Sequence, residues 1–530
     1  MKAPSAKRPK APSGLQGRLA GPRLGSVRPD RDRDRDRDLD RDLDPDDRRF
    51  DDPAWVTDPG YRALLTGYLT WRRLVLAAAE TPYLTARRRE QVRLLATLLT
   101  DATAPTNTLA GNPAVLRRAA LTRGTSLFRG AGNLLDDLRH RRGRPAKMRP
   151  GAFTLGETLA ATPGQVVYRN DLMELIQYEP QTARVRQVPL LFLPAWVNKY
   201  YINDLAPGRS LVEWVVREGF TVFTVSLRNP GPAQAGLGLD EYFAGIPLRA
   251  LDVVREITAS PSAHLAGVCA GGMLAAATAA WHAADGERPV ATLTSLVSSL
   301  DHPDRAGSEQ PPDVELRALT RLLSRRGGLV DGRRISLLFD LLRARDTVWQ
   351  PLVAGWLLGE RPDPFDIWAW SEDAIDVPRT LFHQTLHMAT HNTLARGELR
   401  LHGRDIDLAA VTQDTFMVAG SRDHIVPWET VYSSARLLGG DVAFHLIPSG
   451  HAGSVISPPR PGALYRTGPA RLSAHPQDWW GRSCPVPGSW WPAWTRWLGL
   501  RSGPGTRSRP PGSAHHPPLA PAPGRYVRTP

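Results

Sequence analysis

Apolar and polar positions fall into distinct regimes along this 530-residue chain. From Phe50 and Trp55 to about residue 147 the spacing is helical. Tyr61, Leu64, Leu65, Tyr68, Leu69 and Trp71 form one apolar face, and Val92, Leu94, Leu95, Leu98 and Leu99 form another. This predicts helices, broken at Pro105 and Pro113, whose apolar faces pack internally or against a partner. From about Pro163 short buried runs alternate with amphipathic ones. Val188–Pro194, Phe220–Leu227, Ala263–Val268 and Ala291–Leu300 read as strands, and Arg209–Glu218, Asp240–Ala259 and Ala270–Ala284 as helices. Such βαβ alternation predicts a mostly parallel sheet with helices on both faces. Residues 301–410 then lose the strand signal and read as helices rich in Leu, Trp and Arg. Strands resume at Thr415–Ala419 and Val442–Ile447.

Composition narrows the function classes. A net charge of +14 suggests nucleic acid, but residues 1–29 and 501–530 carry seven and five basic side chains and no acid. The body between them is nearly neutral, so no basic groove for nucleic acid is implied. No run approaches a membrane span, and the basic N-terminus lacks the apolar core of a secretory signal. Residues 1–49, with their RDRDRDRDLDRDLD repeat, put Arg and Asp on every helical face and read as a disordered charged tail. With only Cys269 and Cys484 present, a reducing cytoplasm fits best.

The chemistry concentrates in HLAGVCAGGML, His264–Leu274. A short apolar strand enters Gly267-Val268-Cys269-Ala270-Gly271, a G-x-S-x-G nucleophile elbow with cysteine in place of serine. The glycines permit the tight strand–turn–helix passage, and the helix N-terminus favours a thiolate. Nucleophile, acid and histidine then follow in the chain order of an α/β-hydrolase. Asp423 lies just beyond the strand Thr415–Ala419, and His451 just beyond Val442–Ile447. His451 is the candidate base, and Asp423 the group that orients its ring. His424 reads as a supporting neighbour. The oxyanion hole is expected from the backbone N–H of Ala270 and of Ala195 or Trp196. The expected fold is therefore an α/β-hydrolase fold with a helical cap insertion, preceded by a helical N-terminal domain. The expected bounds are 50–160 for that domain, 161–500 for the catalytic domain with its cap at about 301–410, and 501–530 for a Pro/Gly-rich basic tail.

These residues resemble the polyhydroxyalkanoate synthases, of the single-subunit type. The resemblance is carried by GVCAGG, PAWVNKYYINDLAP, VSLRNP, DHIVPW and SGHAGSVISPP, and by TPGQVVYRNDLMELIQYEP, GSWWPAWTRWL and PAPGRYV. In the helical region RRFDDPAW, APTNTLAGNP and ATPG also match, so roughly residues 47–530 are covered in the family's order. The resemblance implies polymerisation of (R)-3-hydroxyacyl-CoA into polyester with release of CoA. Cys269 would carry the acyl chain as a thioester, His451 would be the base, and Asp423 would lie near the substrate's 3-hydroxyl. It implies no metal or other cofactor. It also implies a homodimer, and a cytoplasmic location at the polymer granule surface among granule-associated proteins. A cysteine-dependent hydrolase (a thioesterase or polyester depolymerase) would share the fold and triad. The chain departs from the family at Leu227, where tryptophan is usual, at Ala452, Gly453 and Ser454 after His451, and at Ser457, where asparagine is usual.

Overall fold

The computed structural model describes residues 47–302, 313–325, 327–469 and 473–529. The expected disordered tail falls almost entirely outside them. The chain divides into two compact units, Met1–Arg73 and Leu74–Pro530. Within the first, Phe50, Trp55, Tyr61, Tyr68 and Trp71 form a connected aromatic cluster. Leu65, Tyr68 and Leu69 are buried as the periodicity predicts, while Leu64 faces solvent.

The second unit begins within helix α1 (Pro59–Ala79) and continues through α2 (Ala86–Ala102), α3 (Pro113–Leu121) and α4 (Thr125–His140). Local chemistry starts these helices: Thr85 accepts from Arg88 N, and Asn112 caps α3 just ahead of Pro113. On α2 the expected face turns outward. Val92, Leu94, Leu95 and Leu99 are exposed, and Ala96 and Thr100, one turn apart, point inward. Close packing of small residues has won over side-chain size there. Helix α4 lies against the cap: a Cβ on Gly130 would fall 2.0 Å from the Trp356 carbonyl oxygen. Buried Asp137 accepts from Trp356 Nε1 at 2.7 Å.

The catalytic unit is built on one eleven-stranded sheet. In chain order its strands are β1 (Gly164–Arg169), β2 (Met173–Tyr178), β3 (Leu190–Leu193), β4 (Val222–Leu227), β5 (Ala263–Val268) and β6 (Val290–Leu296). They continue as β7 (Thr415–Gly420), β8 (Val442–Ile447), β9 (Leu464–Thr467), β10 (Cys484–Pro487) and β11 (Ala520–Pro521). The spatial order is β10-β9-β8-β7-β6-β5-β3-β4-β2-β1-β11. Strands β4 to β8 in that order, with β3 between β4 and β5, run parallel. Antiparallel strands extend both edges. The central strands are buried on both faces, which explains their largely apolar runs. Helices cover the two faces, among them α5 (Leu211–Arg217), α6 (Arg249–Thr258) and α7 (Ala270–Ala283).

The 301–410 insertion is largely helical. It contains α8 (Asp313–Leu323), α9 (Gly332–Leu341), α10 (Asp366–Glu372) and α11 (Arg379–His391). Beyond α9 the chain passes through two π-helical turns, Arg345–Trp349 and Val353–Leu357, of the kind that recur at functional sites. Residues 501–529, within the segment read as a basic tail, run back along the sheet instead. β11 pairs with β1 through Gln165↔Pro521 and Val166↔Ala520, and Tyr526 and Val527 are buried. Proline at an edge strand gives up no ladder bond that matters, so Pro/Gly composition concealed this strand.

Candidate active site

The elbow is a backbone construction. Strand β5 ends at Val268, and Cys269 takes φ 54° and ψ −124° before α7 begins at Ala270. A side chain there is strained, which turns the thiol out of the sheet edge. The glycines are sterically required. A Cβ on Gly267 would lie 2.1 Å from the Gly271 carbonyl, and a Cβ on Gly271 would lie 2.1 Å from the Leu193 carbonyl oxygen. Ser298, at the end of β6, donates from its hydroxyl to the Cys269 carbonyl oxygen and so braces the strained turn. Periodicity gave no signal for Ser298. Both cysteines are free, with Cys484 exposed.

The triad candidates meet at the carboxyl ends of the parallel strands. His451 Nδ1 lies 2.7 Å from Asp423 Oδ2, and the Asp423 side chain is fully buried. Asp423 Oδ1 accepts the backbone N–H groups of Ile425 and Val426 at 2.9 and 3.0 Å, which fixes the carboxylate's orientation. With Nδ1 engaged, Nε2 is the ring nitrogen left for Cys269. Burial pulls the His451 pKa down. The bond to Asp423, and Cys269 as both hydrogen-bonding and charged neighbour, outweigh it and push the value up to about 10. The site thus favours the imidazolium form of His451. His424 lies on the cavity wall, and its pKa is lowered to about 4 by burial and then by the Arg343 charge.

The loop that carries His451 is pinned by a tryptophan ladder. On the helix Trp490–Gly499, Trp490 Nε1 donates to the Ser454 carbonyl at 2.9 Å and Trp491 Nε1 to the Val455 carbonyl at 3.0 Å. Trp494 Nε1 reaches Thr294 Oγ1 on β6 at 2.9 Å. This accounts for the GSWWPAWTRWL segment, which holds the loop of the candidate base His451. Ser457, one of the departures, uses its carbonyl to accept the Ser489 hydroxyl at the start of that helix. Leu227 is buried in the core at the end of β4, and Ala452 and Gly453 line the cavity.

The amides of Ala195, Trp196 and Ala270 make no hydrogen bond among the described residues. Ala270 is the first residue of α7, where amides have no intrahelical acceptor. Ala195 lines the cavity, whereas the Trp196 side chain is buried behind it. Lys199 holds this loop to the C-terminal segment. Its buried ammonium donates to the Val527 and Thr529 carbonyls at 3.1 and 2.6 Å, and burial lowers its pKa.

Above the thiol lies a cavity of about 390 Å³. Its floor includes Cys269, His451 and Ala195, and its roof is the cap: Ile335, Phe339 and Asp340 of α9, with Phe365, Trp368 and Trp370. The cap's helical spacing was visible in the sequence, but which side chains face the thiol was not. Fold and elbow together define an α/β-hydrolase-fold enzyme whose nucleophile position holds cysteine.

Comparison with known proteins agrees and narrows the class. Residues 46–215 match the family model "Poly-beta-hydroxybutyrate polymerase (PhaC) N-terminus", and residues 188–457 match the alpha/beta hydrolase fold. The chain is 40% identical to "Poly(3-hydroxyalkanoate) polymerase 2" of Ectopseudomonas oleovorans, over 92% of this chain and 87% of that one. It is 37% identical to "Poly(3-hydroxyalkanoate) polymerase subunit PhaC" of Cupriavidus necator, over 91% and 83%. The chain belongs to the polyhydroxyalkanoate polymerase family. It is an acyltransferase of the synthase type, as the elbow and the flanking motifs led one to expect.

Proposed function

We propose that this protein polymerises (R)-3-hydroxyacyl-CoA through a thioester on Cys269. The observation that carries the reading is that Cys269 and His451 line one cavity, with His451 Nδ1 held 2.7 Å from Asp423 Oδ2. His451 Nε2 takes the thiol proton, and the sulfur attacks the substrate carbonyl. The tetrahedral oxyanion falls to the free amides of Ala270 and of Ala195 or Trp196. Collapse breaks the C–S bond to CoA, whose sulfur takes the proton back from His451. Exchanging one thioester for another is nearly energy-neutral, so the acyl group stays activated. A 3-hydroxyl then gives its proton to His451 and attacks the Cys269 thioester. The ester C–O bond forms as the C–S bond breaks, and the chain grows by one unit. Asp423 stabilises the imidazolium in both half-reactions and lies where it can assist the incoming hydroxyl.

Water must lose to that hydroxyl, and the apolar cap roof is the device that excludes it. Among the described residues no helix is long and apolar enough to cross a membrane. The exposed leucines of α2 suit the polymer granule surface, its associated proteins or a second copy in a homodimer, in a cytoplasmic setting. The deciding experiment incubates the purified protein with (R)-3-hydroxybutyryl-CoA. Polymer plus stoichiometric free CoA is expected; free hydroxy acid in place of polymer would make the protein a thiol hydrolase.

A further inference from the structure

Away from the catalytic cavity, cap helices α8 and α11 pack together and leave a pocket of about 500 Å³. Arg317 and Arg321 stand one turn apart on α8, and Arg379 and His383 one turn apart on α11, so two basic stripes share one space. No carboxylate lines the pocket. Glu315, nearby on α8, is engaged by Arg87. The three guanidinium groups make no ion pair or side-chain hydrogen bond among the described residues. Three like charges facing one cavity repel, and the arrangement becomes favourable only when an anion enters.

A further feature points the same way. His383 Nε2 is buried and has no hydrogen-bond partner among the described residues, a vacancy that buried polar atoms seldom keep. The pocket also lies within reach of the thiol cavity. Ala374 lines that cavity and Arg379 lines this pocket. Five residues of fully extended chain span at most about 18 Å. One elongated ligand, with a thioester at one end and phosphates at the other, can bridge that distance.

We propose that the Arg317–Arg321–Arg379 pocket is a phosphate site, taking either the phosphorylated nucleotide end of the CoA substrate or a free polyphosphate. The first alternative rests on the acyl-CoA reading above; the second does not. The test titrates full-length Cys269→Ala protein, which cannot turn over, with CoA, pantetheine and inorganic pyrophosphate, by calorimetry. The titrations are repeated with Arg317, Arg321 and Arg379 all changed to Gln. Arg333→Gln, an exposed change on α9, serves as the control for net charge, and thermal unfolding verifies the fold of each variant.

The expected result is CoA binding weakened by about tenfold or more in the triple variant, pantetheine unaffected, and pyrophosphate binding lost. Loss of pyrophosphate binding with CoA unchanged would support the free polyphosphate. Parent protein that binds pyrophosphate but not CoA would sink the acyl-CoA reading and leave the phosphate site standing. Equal CoA and pyrophosphate affinity in the parent and the triple variant, or no binding of either by the parent, would overturn the proposal.

Discussion

The floor of the catalytic cavity is held by backbone, and its roof is held by side chains. At the floor, β3, β5, β7 and β8 end within one sheet, and Gly267 and Gly271 leave no room for a single added carbon. At the roof, Ile335 and Phe339 of α9 line the cavity, Phe339 with 37% of its surface still exposed, while Leu337 and Leu338 lie in solvent. Two π-helical turns follow it. The difference teaches where each kind of specificity resides. Covalent chemistry needs a sulfur, a ring and two amides fixed to a fraction of an ångström, which only a hydrogen-bonded sheet edge provides. Enclosing an apolar acyl chain needs surface rather than position, and loosely packed helices suffice.

The largest effect should come from the floor. Cys269→Ala or His451→Gln should lower CoA release by about 10⁴-fold or more, measured as free thiol, because the triad members act as a unit. Retention of a tenth of the activity would break the contrast at its strongest point. Next in size, Gly271→Ala should cost about 3 kcal/mol or prevent folding, since its Cβ meets the Leu193 carbonyl. Thermal unfolding reads this, and an unchanged midpoint would show the elbow to be adaptable.

Cysteine and histidine are also coupled electrostatically. In Cys269→Ala two of the influences that raise the His451 pKa vanish, so NMR titration should find it well below about 10. The sign for stability follows. A raised pKa means that the imidazolium's contribution is complete below its ordinary 6.5 and is lost as pH climbs toward 10. Wild-type protein should therefore lose unfolding free energy over that window more steeply than Cys269→Ala. The smallest effect belongs to the roof. Phe339→Ala should leave CoA release within a few-fold of wild type yet raise the share of free hydroxy acid over polymer several-fold. Unchanged partitioning would deny the cap its role in excluding water.

The same contrast decided what the sequence made legible. Strands β5 and β8 begin and end where their runs do, because both faces are buried and every residue but His264 and His445 is small or apolar. The elbow, Asp423 and His451 could be found because their backbone contexts leave marks in glycine spacing and strand ends. Ser298 could not: a serine after a strand looks the same whether or not it braces Cys269. The outward turn of Val92, Leu94, Leu95 and Leu99 was equally hidden, since leucines at neighbouring positions cover more than one face of a helix and do not say which is inside. The C-terminal strand β11 was hidden in proline and glycine. In the cap, periodicity announced helices but not which side chains would roof the thiol.

The most direct test asks where the acyl chain sits during turnover. Protein quenched in acid a few seconds after mixing with (R)-3-hydroxybutyryl-CoA is digested, and its peptides are weighed. The peptide containing Cys269 should be heavier by whole hydroxybutyryl units, through a bond that hydroxylamine cleaves, and His451→Gln should abolish the adduct. An unmodified Cys269 peptide, while polymer accumulates and the chain is found on Cys484 or on a serine, would contradict the account.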